Sequence, residues 1–185
     1  MMVATGGKPV ETKATSQSLS VIFSEPLRGD RKDRLMGHTY SNLLVHAVFS
    51  TKDRRPTIHE SFRARLHEYL GGIAREEFGR ALQIGGTADH VHGLILLRTD
   101  VAVADAMRNW KSLSSGWVHK TFPAEQDFAW QNGYAAFSVS QSNAEQVKKY
   151  IGDQESHHRK QTFEEEFLAL LERHGIEYDP RSVWD

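Results

Sequence analysis

The chain contains no cysteine, which removes disulfides, iron–sulfur clusters, thiolate zinc sites and a cysteine nucleophile together. A metal would have to be held by histidine, carboxylate, amide or substrate oxygen. No run approaches the roughly 18 uncharged apolar residues of a membrane-spanning helix, and the N-terminus lacks the apolar core of a secretory signal. A cytoplasmic protein with no membrane partner is therefore expected. Neither sign of charge dominates: 23 Lys and Arg against 24 Asp and Glu leave a net charge of -1. The overall basic signature from which nucleic-acid binding is usually read is missing. What is plentiful is histidine, 10 of 185 residues, and this is where chemistry is sought. Hydrophobic residues, 39% of the chain, can supply one core, and the length suits one domain with short tails.

Residues 1–36, with Thr5-Gly6-Gly7, Pro9, many Ser and Thr and the mixed-charge run Arg28 to Arg34, read as a disordered tail. Met36, where globular patterning begins, is an expected translation start. A folded domain is expected over 37–175, with a C-terminal tail over 176–185. Hydrophobic period predicts a buried strand at 42–50, a helix at 59–78, a hairpin of strands at 81–87 and 90–98, a helix at 101–121 and an aromatic strand at 128–140. Two helices follow, at 143–158 and 163–174, the second closed by His174-Gly175. The order β-α-β-β-α-β is that of a ferredoxin-like, RRM-like α+β fold, an antiparallel four-stranded sheet with two helices on one face and the other face free.

Two constellations carry chemistry. His90-Val91-His92 lies on the third strand, where alternation aims both imidazoles to one side, their Cα atoms roughly 6.6 Å apart, and turns Val91 to the core. Two rings so placed can share one metal ion, although ten scattered histidines give a His-x-His pair about half a time by chance, so the pair alone decides nothing. On the penultimate helix, Tyr150 and Gln154 are i and i+4, one above the other on one face. Lys148, Lys149, Arg159 and Lys160 surround them as cations for a phosphate path. The bland alternatives are a tyrosine at the core edge and a solvated basic face.

Together these features resemble the HUH-type single-tyrosine transposases of insertion sequences, including relatives associated with repetitive extragenic palindromes. The resemblance spans about residues 38–180 and rests on Thr51-Lys52-Asp53-Arg54-Arg55-Pro56, Ala88-Asp89-His90-Val91-His92, the aromatic run Phe128 to Tyr134, and Lys149-Tyr150-Ile151-Gly152-Asp153-Gln154. It departs at Gly93, where a bulky apolar residue is more usual, and in residues 1–36, which have no counterpart. The resemblance implies that His90, His92 and Gln154 hold a divalent ion, Mg²⁺ or Mn²⁺, and that Tyr150 attacks single-stranded hairpin DNA, leaving a 5′-phosphotyrosine and a free 3′-OH. It further implies a homodimer whose active sites are completed in trans.

The reaction suits these residues. A phenol, with pKa about 10, leaves more readily than an alkyl alcohol, so a phosphotyrosine can be resolved by a DNA 3′-OH without ATP. Lys52, Arg54, Arg55, Lys111, Lys148 and Lys149 are candidate DNA contacts. Trp110 and Trp130 are either base-stacking groups or core, with core packing the expectation. His46 is expected to be a satisfied interior histidine, and His157 and His158 are left outside the metal shell. Two other functions stay open: a non-catalytic RRM-like nucleic-acid binder, against which the lack of an Arg/Lys-Gly-Phe/Tyr-Gly-Phe run counts, and a His-metal phosphodiesterase in which Tyr150 is structural.

Overall fold

Strand β1 (Leu44–Ser50) runs antiparallel to β3 (His90–Leu97) on one side and to β4 (Ala135–Val139) on the other, while β2 (Gly79–Gly86) flanks β3. The sheet order is β2-β3-β1-β4, the antiparallel order of the expected fold, with the histidine strand internal. A computed structural model describes residues 40–184. The expected tail over 1–36, Met36 and the last residue lie outside the described residues. Among the described residues no helix is long and apolar enough to cross a membrane.

Alternation along β1 and β3 sorts the side chains into two layers. Ala47, Phe49, Val91 and Ile95 face one way, into a core closed by α1 (Glu60–Ile73) and α2 (Val103–Thr121). Phe62, Leu66, Leu70 and Ile73 form the buried stripe of α1, and Met107, Trp110 and Val118 that of α2, the helical spacing of an amphipathic segment. Gly93, where the resemblance leads one to expect a bulky apolar residue, has a physical reason here. A Cβ at that position would lie 2.3 Å from the Trp110 ring, and the indole donates its N–H to the Leu70 carbonyl at 2.8 Å. The tryptophan fills the volume that a bulky neighbour of His92 would take. Trp110 and Trp130 both belong to this core.

The opposite face is covered rather than free. Leu44 and Leu94 lie under Ala144 and Ile151 of α3 (Ala144–Gly152), and Val48, Ala135 and Phe137 under Phe163, Leu170 and Leu171 of α5 (Phe163–Arg173). Apolar side chains on the second face require a second layer. The segment after α5 returns Tyr178, Val183 and Trp184 to the same cluster. Thr162 and Glu165 start α5 with a reciprocal capping box, which satisfies two amide donors at the helix N-terminus.

Three element boundaries differ from the reading by period. The first helix becomes a π-turn over Ala74–Phe78, which delivers Phe78 to the core. The expected strand at 128–140 pairs regularly only over Ala135–Val139, and Trp130 makes an isolated bridge to Thr51. Between them the carbonyls of Gln131, Asn132 and Gly133 all accept from the Lys111 ammonium, so they are not available to a ladder. The helix expected over 143–158 breaks at Asp153 (φ -92°, ψ 11°), and a short α4 (Gln154–His157) follows.

The backbone of α3 lies directly on β2: a Cβ on Gly85 would come within 2.0 Å of the Ile151 carbonyl oxygen. G85A should therefore cost about 1–3 kcal/mol by overpacking. By contrast, G116A on α2, with nothing within 4 Å of its added carbon, should be neutral or stabilising by about 0.5–1 kcal/mol. Urea midpoints of the two variants measure the contrast.

Candidate active site

The second face of β1 and β3 carries three histidines in a row: His46, His90 and His92, all buried. Asp89, at the mouth of β3, accepts from the His90 Nδ1–H at 2.7 Å and from the Thr87 hydroxyl at 2.7 Å. Although burial opposes it, the His90 contact holds the Asp89 carboxyl below its ordinary pKa. With its Nδ1 proton so committed, a neutral His90 ring keeps its lone pair at Nε2. His92 Nδ1 shares a proton with His46 Nε2 at 3.0 Å. Burial lowers the pKa of His92 to about 4 despite Glu166, and burial with His92 lowers that of His46 to about 3.

The helices above the sheet close the cluster. Gln154 turns its amide oxygen to His90 Nε2 at 3.1 Å and donates its amide N–H to Glu166 at 2.9 Å. Tyr150 donates its phenol to the same Glu166 oxygen. The other Glu166 oxygen lies 2.9 Å from His158 Nε2 and 3.3 Å from His92 Nε2. Glu166 is 2% exposed. Burial alone would raise its pKa, but His158, His92 and Tyr150 outweigh burial and hold it well below the carboxylate range. Burial and the Glu166 carboxylate push the Tyr150 phenol up. His158, whose Nδ1 donates to the Gln161 carbonyl at 2.9 Å, is opposed by burial but raised by Glu166.

His90 Nε2 faces the Gln154 amide oxygen, and His92 Nε2 is buried 3.3 Å from a Glu166 oxygen with no hydrogen-bond partner. With the His90 Nδ1 proton given to Asp89, a neutral His90 ring turns its Nε2 lone pair on another acceptor, an arrangement that a cation between them would relieve. One ligand atom from each of His90, His92, His158 and Glu166 lies within 4.8 Å of the others. Imidazole nitrogens with one carboxylate fit a divalent first-row ion.

Residues 39–154 match the family described as Transposase IS200 like. The chain belongs to this family. The transposase is similar, at 27% identity over 132 residues, to the transposases for insertion sequence element IS200 of Salmonella typhimurium and of Salmonella typhi, spanning 68% of this chain and 84% of each relative. Its fold is similar to the crystal structure of a Deinococcus radiodurans R1 protein assigned as a transposase, with TM-score 0.51 and 22% identity over 66% of this chain and 97% of the other. As a transposase it is an enzyme that cuts and joins DNA.

Of the residues singled out from the sequence, His90, His92, Gln154 and Tyr150 come together in the transposase around one carboxylate. The candidate DNA contacts do not share one setting. Lys52, Arg55 and Lys149 are exposed without an ion pair among the described residues. Arg54 pairs with Glu164 and lies over the Trp184 ring, and Lys148 pairs with Glu145. Lys111 is occupied by three backbone carbonyls, and burial lowers its pKa to about 8. Glu166 and His158 were missed as members of the cluster. Phe163, Glu166 and Leu170 fall at i, i+3 and i+7, so a carboxylate inside the apolar stripe of α5 was the readable signal.

The pH dependence of stability follows from the buried rings. His46 and His92, together with His67, whose burial beside Arg63 lowers its pKa to about 4, stay neutral when folded and take up protons near pH 6.5 when unfolded. The unfolded state binds more protons as pH falls below 6.5, so stability falls with it. His158 acts in the opposite sense, but only as pH rises past its raised pKa, so it does not contribute below 6.5. Metal-free transposase should lose about 1.4 kcal/mol per fully shifted ring for each pH unit from 6.5 toward 4.5. Urea midpoints in EDTA at pH 6.5 and 5.5 measure this, and equal midpoints would contradict it.

Proposed function

We propose that this transposase nicks and rejoins single-stranded hairpin DNA by transesterification through Tyr150. The observation that carries the reading is the meeting of the Tyr150 phenol, the Gln154 amide, His90 and His92 about the buried Glu166 carboxylate. In the step proposed, the bond from Tyr150 Oη to phosphorus forms as the bond from phosphorus to O3′ breaks. The phenol gives up its proton and the leaving 3′-oxygen gains one. Attack by a 3′-OH reverses the same exchange, so ligation needs no external energy source.

His90, His92 and Gln154 would hold the divalent ion, with Glu166 as a further donor, and Mn²⁺ suits the nitrogen-rich set better than Mg²⁺. When bound, the ion supplies positive charge to the non-bridging oxygens of the scissile phosphate. Asp89 fixes the His90 ring, and His46 orients His92, so the lone pairs are aimed before DNA arrives. Exposed Lys52, Arg55 and Lys149 would add phosphate contacts whose contribution falls with salt. The proposal includes the homodimer completed in trans. In a single chain Tyr150 and Gln154 already lie on the sheet that carries their own histidines, so exchange of α3 would substitute equivalent contacts. The RRM-like alternative has lost its ground, because the sheet face it would use lies under α3 and α5.

Incubation with Mn²⁺ and the hairpins flanking the gene should yield a covalent protein–DNA adduct on a denaturing gel. The adduct should vanish in Y150F and fall by at least about 100-fold in H90A. Free 5′-phosphate ends made by Y150F would instead assign hydrolysis. Calorimetric titration of the metal-free protein should show Mn²⁺ binding weakened at least about tenfold in E166Q, and an unchanged affinity would remove Glu166 from the donor set.

A further inference from the structure

Beside the histidine cluster, a cavity of about 450 Å³ opens between β4, α3 and α5. Tyr150 and His46 stand in its wall, and both also border the cluster, with ring centroids 5.9 Å from Tyr150 to His92 and 5.2 Å from His46 to His92. The two helices lead from one site to the other. From its N-cap residue along α3, Asn143, Gln146, Val147 and Tyr150 follow one another at i, i+3, i+4 and i+7, a single helical face. On α5, Glu166 sits in the cluster while Leu170 and Arg173, one and two turns on, line the cavity.

The lining has a particular chemistry. The side-chain amides of Asn143 and Gln146 and the guanidinium of Arg173 make no hydrogen bond or ion pair among the described residues. Val147 and Leu170 supply apolar walls between these polar groups. Amides read base edges, offering a donor and an acceptor together, and a guanidinium serves either a base or a phosphate. Flat apolar flanks suit the faces of a ring, and the volume lies within the range of pockets that hold small ligands. A cation beside the tyrosine, with no carboxylate paired to it, suits an anionic strand.

Resting on the transesterification reading, we propose that this cavity is a subsite for an unpaired nucleobase next to the scissile phosphate. Asn143 and Gln146 hydrogen-bond the base edge, and Arg173 takes the adjoining phosphate. A base seated there fixes the strand on the side of Tyr150 away from the cluster and brings the phosphate to Oη. The subsite thus adds protein readout of a single-stranded position, the kind of target that enzymes reach with splayed bases.

The test uses the full chain with Mn²⁺ and hairpin DNA in which the base on the 5′ or the 3′ side of the cut is replaced in turn by an abasic residue. One of the two replacements should lower kcat/KM for adduct formation about tenfold or more. The double variant N143A/Q146A should bring intact DNA down to the abasic level yet lose nothing further on abasic DNA, the signature of a direct pair. Both residues are exposed, and Asn143 makes no side-chain capping bond, so the variant should fold, and its Mn²⁺ affinity should match wild type. Equal rates on intact and both abasic DNAs, or an equal loss in the variant on every DNA, would overturn the subsite while leaving the adduct chemistry standing. No adduct with any DNA would overturn both.

Discussion

The carboxylate of Glu166 holds the helical layer over the histidines of this protein together. It receives the phenol of Tyr150 and the amide of Gln154 on one oxygen and faces His158 and His92 with the other. These partners come from α3, α4, the turn after it and β3, so one ionised group on α5 ties four parts of the chain to a single point. A charge buried this deeply is tolerable only while its partners remain. Losing any one of them leaves the carboxylate short of a partner, and the layer is cooperative for that reason.

The second layer of helices also changes what the sheet can do. With α3 and α5 seated on it, the sheet presents no broad surface to a nucleic acid, and the three histidines lie buried beneath the helices. Gly85 is where this is enforced, because only a residue without a side chain lets the Ile151 carbonyl come so near β2. The approach brings Gln154, three residues further on, over His90.

Much of this was legible in the residues. The alternation around Val91 put both histidines on one side of an internal strand, and the i, i+4 relation of Tyr150 and Gln154 survived the break at Asp153 because α4 restarts at once. Less legible was anything decided by partners distant in sequence. Phe128 and Trp130 have the composition of a strand, yet the Phe128 carbonyl accepts from His119, and the carbonyls of Gln131, Asn132 and Gly133 that follow accept from Lys111, both residues of α2. Glu166 stands in a run of three glutamates that composition alone assigns to solvent, and only its place in the apolar stripe distinguished it. The covered face was hidden for a similar reason: the apolar positions of α3 and α5 state that something is buried, without stating against what.

The contact between Trp110 and Gly93 has its own consequence. The indole touches the backbone of the histidine strand from below and is tethered to α1 by its nitrogen, so one side chain of α2 joins β3 and α1. The strand that carries His90 and His92 is thereby buttressed from the far side of the sheet.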